Sequence, residues 1–149
     1  MIKAVIFDFG RTLYDRDNNG FFPEVPEILE KLSSRYKLAI VSMAVSDDPE
    51  ERKRILKESN FEKYFDSTIF VKEDKDSAYE KALLELGVDP VEVAIVDDRV
   101  KRGVAWGNKR GAATIWFRNG KFKDELPDGE TGEPTNTILN LSELLQILN

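Results

Sequence analysis

Two kinds of hydrophobic pattern alternate along the chain. Short, nearly continuous apolar runs are typical of buried parallel strands, whereas apolar residues that recur every three to four positions are typical of one helix face. The runs predict strands over residues 2–8, 37–42, 67–71, 92–97 and 112–117. The periodic segments predict helices over residues 23–34, 48–59, 76–86, 98–110 and 141–148. Strands that alternate with helices in this way indicate a parallel sheet.

Local signals mark the segments between these elements. Asp48-Pro49 suits the start of a helix, because aspartate caps the first turn and proline fits its first position. Asn19-Gly20, within residues 13–22, predicts a tight hairpin turn. Residues 120–136 are rich in Gly, Pro, Asp and Glu, which predicts a surface loop.

Together the elements predict one α/β domain over residues 1–149. The expected architecture is a doubly wound, Rossmann-like parallel sheet of about five strands with helices on both faces. Ligands in such sheets bind beyond the carboxyl ends of the strands, near the point where the strand order reverses. Candidate functional residues are therefore sought at the strand ends.

The composition narrows the chemistry available to this fold. The 149 residues include no His and no Cys, which excludes a Ser-His-Asp triad, thiolate metal sites and disulfides. The net charge of −6 argues against general binding to nucleic acid or anionic membranes. Asp8 interrupts the first apolar run too early for a signal peptide, so we expect a cytoplasmic location. Many Glu, Lys and Arg residues also fit a thermophilic source.

Polar side chains follow the predicted strands at their carboxyl ends. Asp8 ends the first strand, Ser42 the second, and Asp97-Asp98 the fourth, while Lys72 and Lys75 follow the third. Carboxylates from different strands can hold Mg²⁺, and a carboxylate can also be the nucleophile that accepts a phosphoryl group. A lysine and hydroxyl groups would offset the charge of that group. The pattern predicts a phosphoryl-transfer site.

The order of these residues resembles the four motifs of the haloacid dehalogenase-like (HAD) hydrolase superfamily. The first motif is an apolar strand followed by Asp-x-Asp-x-Thr or Val, and it reads FDFGRTL here. The second reads LAIVS and the fourth AIVDD, with a lysine at a helix start between them. The likeness covers residues 2 to 117. The Asp-Asp form of the fourth motif is similar to the magnesium-dependent phosphatase branch.

The resemblance implies a role for each motif residue. Asp8 would be the nucleophile and a metal ligand, and Ser42 and Lys75 would be catalytic groups that bind the phosphate. Mg²⁺ would be held by Asp8, Asp98, the backbone carbonyl of Gly10, and Asp97 as a second ligand or support. The implied phosphate-binding residues are Phe9, Gly10, Arg11, Thr12, Ser42 and Lys75.

Two departures and one ambiguity accompany the resemblance. Most phosphatases of the superfamily have a second Asp, the general acid, where this chain has Gly10, and its loss costs roughly 10²–10⁴ in rate. A good leaving group, such as an acyl phosphate or a phenol, needs that acid less. A later acid of the fourth motif falls at Gly103. For the motif lysine, Lys75 is favoured over Lys72 by its spacing to Tyr79.

The gaps between motifs are too short for the lid domain that the superfamily usually carries. A capless, open site suits a bulky or macromolecular phosphorylated substrate, or a lid supplied by a second subunit of a homo-oligomer. The main alternative is a non-catalytic module that keeps the fold for binding. A receiver domain would have its acidic pair after the first strand, and a dehalogenase would usually carry a lid, so both fit less well.

Overall fold

The computed structural model describes residues 1–148 and contains a six-stranded sheet in which every pair of neighbours is parallel. The strands are β1 (Ala4–Phe7), β4 (Lys37–Met43), β5 (Ser67–Val71), β6 (Val93–Asp97), β7 (Ala113–Phe117) and β8 (Asn136–Ile138), in the order β5-β4-β1-β6-β7-β8. A separate antiparallel hairpin of β2 (Tyr14–Asp15) and β3 (Gly20–Phe21) follows β1. The hairpin confirms the turn predicted at Asn19-Gly20.

Five α-helices connect or follow the strands. They are α1 (Val25–Ser33), α2 (Pro49–Glu58), α3 (Lys75–Leu86), α4 (Ala105–Arg110) and α5 (Leu144–Ile147). The start of α2 is as predicted, because the Asp48 side chain accepts a hydrogen bond from the N–H of Glu50. Asp74 caps α3 at its start, and Gly87 ends it with a φ of +67°. Glycine adopts this left-handed conformation without the steric cost of a β-carbon.

The sheet divides the core into two layers because alternate strand residues point to opposite faces. Val5 and Phe7 of β1 pack in the layer formed with α1 and the C-terminal segment. Ala4 and Ile6 pack in the other layer, against α3. Both layers are apolar, which explains why the strands read as continuous hydrophobic runs rather than as alternating ones.

Two expectations about elements need correction. The sheet has six strands rather than about five, because β8 pairs with β7 at the edge. Its sequence, Asn-Thr-Ile, is short and has only one buried residue, so it has no hydrophobic signature. The predicted helix over 98–110 begins as a π-helical turn (Val100–Val104) before α4. The surface loop predicted over 120–136 is confirmed, and it includes a short 3₁₀ turn at Gly120–Phe122.

The strand order places the reversal point beside β1. The chain moves from β1 outward to β4 and β5, and then returns to the other side of β1 as β6. Phe7 pairs with Ile40 on one side and with Val96 on the other, so Asp8 and Asp97 leave neighbouring strands at the same edge. Residues 72–74 alone join β5 to α3, and within residues 1–148 no cap domain interrupts the sheet.

No helix among the described residues combines the length and the apolar character needed to span a bilayer.

Candidate active site

A buried ion-pair network joins the ends of β1 and β6 to the start of α3. Nζ of Lys75 donates a hydrogen bond to Oδ2 of Asp97 at 2.9 Å and to Oδ1 of Asp8 at 3.3 Å. All three residues are buried, with Lys75 only 6% exposed, whereas Lys72 is exposed. Lys75 is therefore the lysine that reaches the carboxylates. The first turn of α3 holds it there.

The charges in this network adjust one another. Burial raises the pKa of Asp8 above its ordinary value. Burial opposes the charged forms of Lys75 and Asp97 as well, but their mutual attraction outweighs it, so the pKa of Lys75 is raised and that of Asp97 is lowered. Asp97 and Lys75 are thus held as a charged pair beneath Asp8.

Asp97 and Asp98 are adjacent but have different surroundings. Asp97 accepts hydrogen bonds at both oxygens, from the Gly103 N–H at 2.8 Å and Lys75 at Oδ2, and from the Arg99 N–H at 3.0 Å at Oδ1. Oδ2 of Asp98 is buried and has no hydrogen-bond partner among residues 1–148. Burial, with the charges of Asp97 and Asp8, raises the pKa of Asp98 to about 10. An unpartnered buried carboxyl oxygen is costly unless a cation binds it.

The three carboxylates have the donor set that a hard divalent cation requires. Asp8, Asp97 and Asp98 each offer an oxygen, and these oxygens lie within 4.8 Å of one another. Carboxylate oxygens are the ligands that Mg²⁺ prefers, and Oδ2 of Asp98, which has no hydrogen-bond partner, is free to coordinate a metal ion. The residues therefore fit Mg²⁺. Asp97 already accepts three hydrogen bonds, whereas Oδ2 of Asp98 accepts none, so Asp98 has the freer carboxylate oxygen.

In the turn after β1, Gly10 and Arg11 line the cleft, whereas Phe9 and Thr12 are buried. The Phe9 carbonyl accepts hydrogen bonds from the N–H groups of Thr12, Leu13 and Tyr14, which folds the chain back on itself. The Phe9 side chain is buried against Tyr14, so a phosphate contact from Phe9 would come from its backbone. Thr12 is also buried, and its Oγ1 donates to Oδ2 of Asp8 at 3.5 Å. Arg11 adopts a φ of +63° and pairs with Asp17 at 3.1 Å.

Ser42 is connected to the site through a residue that the motifs did not indicate. Ser42 is fully buried, and its Oγ accepts a hydrogen bond from Nη1 of Arg52 at 2.8 Å. The Arg52 guanidinium also donates to both oxygens of Asp47, at 2.8 and 2.9 Å. Such a two-pronged pair fixes the guanidinium plane. Arg52 is thereby held above Gly10.

These groups surround a cleft of about 320 Å³ at the carboxyl edge of the sheet. Of the residues predicted for the site, Asp8, Gly10, Arg11, Lys75 and Asp98 line it. Phe9, Thr12, Ser42 and Asp97 lie behind the lining, where Thr12 and Asp97 contact the residues in front. Arg52 lines the cleft in the place where Ser42 was expected.

Comparison with known protein families points to the same kind of site. A model of the haloacid dehalogenase-like hydrolase family matches residues 15–109, and a second HAD-hydrolase-like model matches residues 75–144. The first of these covers more than half of the chain. The chain belongs to the haloacid dehalogenase-like hydrolase family.

Individual relatives of this HAD-like hydrolase agree with the assignment. The glyceraldehyde 3-phosphate phosphatase of Methanopyrus kandleri is 26% identical over 130 residues, which is 85% of this chain. A HAD phosphatase from Thermococcus onnurineus is 27% identical with a TM-score of 0.67, over 87% of this chain and 59% of that one. The chain spans 56% of the length of the curated relative and 59% of that structure.

More distant structures show the same fold. The HAD-hydrolase YfnB from Bacillus subtilis, in a magnesium-bound crystal structure, has a TM-score of 0.79 at 14% identity and covers 99% of both chains.

The structure shows what surrounds the two glycines, Gly10 and Gly103, that stand where the family motifs have acidic residues. A β-carbon at Gly103 would lie 2.7 Å from Cβ of Asp97 and 2.8 Å from the Tyr79 hydroxyl, so no acidic side chain fits at this position. A β-carbon at Gly10 would lie 3.2 Å from two nitrogens of Arg52. The cation thus lies beside the position where most phosphatases of the superfamily have a second acid.

Arg52 was not predicted as a site residue because it lies among other charged residues of α2 and resembles them in sequence. The α2 sequence PEERKRILKE contains three neighbouring cations, and Arg52 is buried whereas Lys53 and Arg54 are exposed. A signal was nevertheless available: Arg52 lies four residues before Leu56, on the same helix face, and Leu56 is in the core.

Proposed function

We propose that the chain is a Mg²⁺-dependent phosphatase that transfers a phosphoryl group to Asp8 and then to water. One observation carries the proposal: Asp8 and Lys75 both line the cleft at the carboxyl edge of the sheet, and Nζ of Lys75 lies 3.3 Å from Oδ1 of Asp8. A carboxylate held beside a fixed cation is aligned for attack on phosphorus. The phosphatase names of two relatives support the same reaction class.

In the first step an oxygen of Asp8 attacks the phosphorus atom. The bond from phosphorus to the leaving oxygen breaks, and that oxygen takes the electron pair. In the second step water attacks the aspartyl phosphate, the bond from phosphorus to Asp8 breaks, and inorganic phosphate leaves with the carboxylate restored. Thr12, which donates to Asp8 at 3.5 Å, orients the carboxylate for the first step.

Arg52 and Lys75 supply the fixed positive charge of the reaction. The Arg52 guanidinium, held by Asp47 and Ser42, faces the cleft above Gly10 and would bind the phosphoryl oxygens. Fixed donors of this kind stabilise the charge of the transition state without having to reorganise. Ser42 then acts by holding Arg52 rather than by direct contact.

Asp8 and Asp98 would hold Mg²⁺, with Asp97 as their support and the Gly10 carbonyl as a further predicted ligand. Bound there, the ion would neutralise charge on the phosphoryl oxygens.

The substrate class follows from the missing acid. With glycine at position 10 and a guanidinium above it, no carboxylic acid at that position can protonate the leaving group. Acyl phosphates and aryl phosphates, whose leaving groups are weakly basic, should react faster than alkyl phosphates. Glyceraldehyde 3-phosphate, named for the curated relative, belongs among the alkyl phosphates to test. A bulky or macromolecular substrate and a homo-oligomeric lid stay predictions, as does a cytoplasmic location.

Hydrolysis of acetyl phosphate and p-nitrophenyl phosphate with Mg²⁺, by wild type and Asp8→Asn, tests the proposal. We expect metal-dependent release of phosphate in the wild type and loss of at least 10³-fold in the variant, which keeps the shape of the side chain but removes the nucleophile. Asp124→Asn, at a side chain 83% exposed, is the control and should keep full activity. Equal, near-zero rates in wild type and Asp8→Asn would instead support the non-catalytic binding module.

A further inference from the structure

The cleft is strongly cationic although the chain as a whole is acidic. The net charge of the protein is −6. Of the fourteen residues that line the cleft, seven are Lys or Arg, whereas only Asp8 and Asp98 are acidic. A concentration of one charge sign in a concave site attracts ligands of the opposite sign and raises their local concentration.

Most of these cations already have an acidic partner. Lys75 pairs with the buried aspartates, Arg11 with Asp17, and Arg99 with Glu125. Arg52 and Arg16 share one carboxylate, that of Asp47. Five of the seven cations that line the cleft are therefore at least partly neutralised by acidic side chains.

Two cations of the cleft have no such partner. Among residues 1–148, neither Arg102 nor Lys121 forms an ion pair or a side-chain hydrogen bond with another residue. Both line the cleft. Because neither cation is engaged in an ion pair, both are free to bind an anionic group that enters the cleft.

The two cations come from different segments that the fold brings together. Arg102 lies in the π-helical turn that follows Asp98, and Lys121 lies in the 3₁₀ turn after β7. The Arg99 guanidinium stacks at 3.8 Å on the ring of Phe122, next to Lys121, and joins these segments. Asn119 Nδ2 donates to the Arg11 carbonyl at 3.0 Å, which ties the second turn to the nucleophile loop.

The remaining lining provides a place for a short carbon body. Met43 and Val45 line the same cleft, and Val45 is 64% exposed, so its side chain is available to contact a ligand. The volume of about 320 Å³ lies at the lower end of the range for small-molecule sites.

We propose that the substrate is a small organic phosphate with a second anionic group, a carboxylate or another phosphate, that binds between Arg102 and Lys121. The inference rests on the proposed phosphatase function, adds the chemistry of the leaving group to it, and replaces the bulky or macromolecular substrate predicted from the sequence with a small one. The phosphoryl group lies at Asp8 and Arg52, and the carbon body contacts Met43 and Val45. Charge-assisted hydrogen bonds from Arg102 and Lys121 then select leaving groups with an anionic end over leaving groups with a neutral end.

Calorimetric binding of matched phosphonates in the presence of Mg²⁺ tests this. Phosphonoacetate, 3-phosphonopropionate and 4-phosphonobutyrate carry a terminal carboxylate, and methyl-, ethyl- and propylphosphonate lack it. We expect the wild type to bind the best carboxylated member at least tenfold more tightly than its uncharged counterpart. In the double variant Arg102→Gln/Lys121→Gln this ratio should fall to within threefold of one.

The control is Lys57→Gln/Lys109→Gln, which removes the same charge at exposed positions outside the cleft and should keep the ratio. Equal binding of both series by the wild type would overturn the second-anion inference and leave the phosphatase proposal standing. A ratio that survives in the Arg102→Gln/Lys121→Gln variant would overturn the assignment of these two residues.

Failure of every phosphonate and of an acidic phosphopeptide to bind would overturn the phosphate site itself, and the second-anion inference with it. Binding of the phosphopeptide, with no binding of the small phosphonates, would overturn only the small-molecule class.

Discussion

The β-carbon that Gly10 lacks would lie 3.2 Å from both terminal nitrogens of Arg52. Arg52 is held at this distance by Asp47 and Ser42, so any shift away from an added β-carbon would strain its hydrogen bonds. The position of the Arg52 guanidinium therefore depends on the absence of a side chain at Gly10. Glycine at position 10 is what leaves room for a guanidinium beside the nucleophile.

Gly10→Ala should consequently destabilise the fold. We expect the free energy of unfolding to fall by about 1–2 kcal/mol, because the added methyl group crowds the Arg52 guanidinium at this half-buried position. Gly129→Ala is the control, since nothing lies within 4 Å of its added β-carbon, and it should change stability by less than about 0.5 kcal/mol. Urea denaturation measures both. A smaller cost of Gly10→Ala in an Arg52→Lys background would show that the two residues are coupled.

Arg52→Lys keeps the charge but removes the two-pronged pair with Asp47. A single ammonium cannot also reach Ser42 and hold a fixed plane, so we expect kcat/KM for p-nitrophenyl phosphate to fall roughly 10- to 100-fold. Arg54→Lys makes the same change on the same helix at an exposed pair with Glu51. It should leave kcat/KM unchanged. Similar kinetics for the two variants would contradict a role for Arg52 in phosphate binding.

Gly103→Ala tests the packing behind the metal ligands. The new methyl group would meet Asp97 and the Tyr79 hydroxyl at distances below 3 Å, so Asp97 must move away from Lys75. We expect a loss of about 1–3 kcal/mol in unfolding free energy, together with weaker Mg²⁺ binding. Thermal denaturation with and without Mg²⁺ reports both effects. An unchanged Mg²⁺ response would contradict the role of Asp97 as a support for the other ligands.

Mg²⁺ should stabilise the wild type and not the variant Asp98→Asn. At a metal concentration of about 100 times Kd, the stabilisation is about 2.7 kcal/mol, and it disappears when the free donor oxygen is lost. Without metal, Asp98→Asn should be at least as stable as wild type, because the neutral amide cannot acquire the negative charge that burial, Asp97 and Asp8 disfavour at this position. Asp124→Asn should respond to Mg²⁺ as the wild type does. A full response in Asp98→Asn would exclude Asp98 as a ligand.

The pair of Asp47 with Arg52 should make stability depend on pH in the acid range. Burial of Asp47 favours its neutral form, but the hydrogen bond and charge of Arg52 and the charge of Arg16 outweigh it, so the pKa of Asp47 is lowered. A lowered folded-state pKa gives stability that is present above the unfolded value of about 3.9 and is lost as pH falls through the folded value.

The variant Asp47→Asn isolates this contribution. We expect it to be less stable than wild type at about pH 6, and we expect the difference to shrink as the pH is lowered to about 3, since protonated Asp47 loses the same pairing. Unfolding curves of both proteins across this range measure the difference. A difference in unfolding free energy that stays constant with pH would show that the ionisation of Asp47 does not contribute to stability.

The parts of the site that could be predicted from sequence are those whose positions follow from the chain itself. Asp8 and Asp97-Asp98 follow apolar runs directly, and Lys75 begins a helix that its neighbours define. Once parallel strands are recognised, their carboxyl ends must meet at one edge. Five of the six strands were readable for the same reason, because a buried strand must be hydrophobic.

The tertiary structure decided everything that depends on where a long side chain lies after folding. Arg52 and Arg102 look like their charged neighbours in sequence, and only the packing of α2 and of the π-helical turn directs them into the cleft. The edge strand β8 is likewise specified by its partner β7 rather than by its own three residues. Local patterns determine which residues end a strand, but the contacts of flexible cations depend on segments distant in the chain, which only the folded protein brings together.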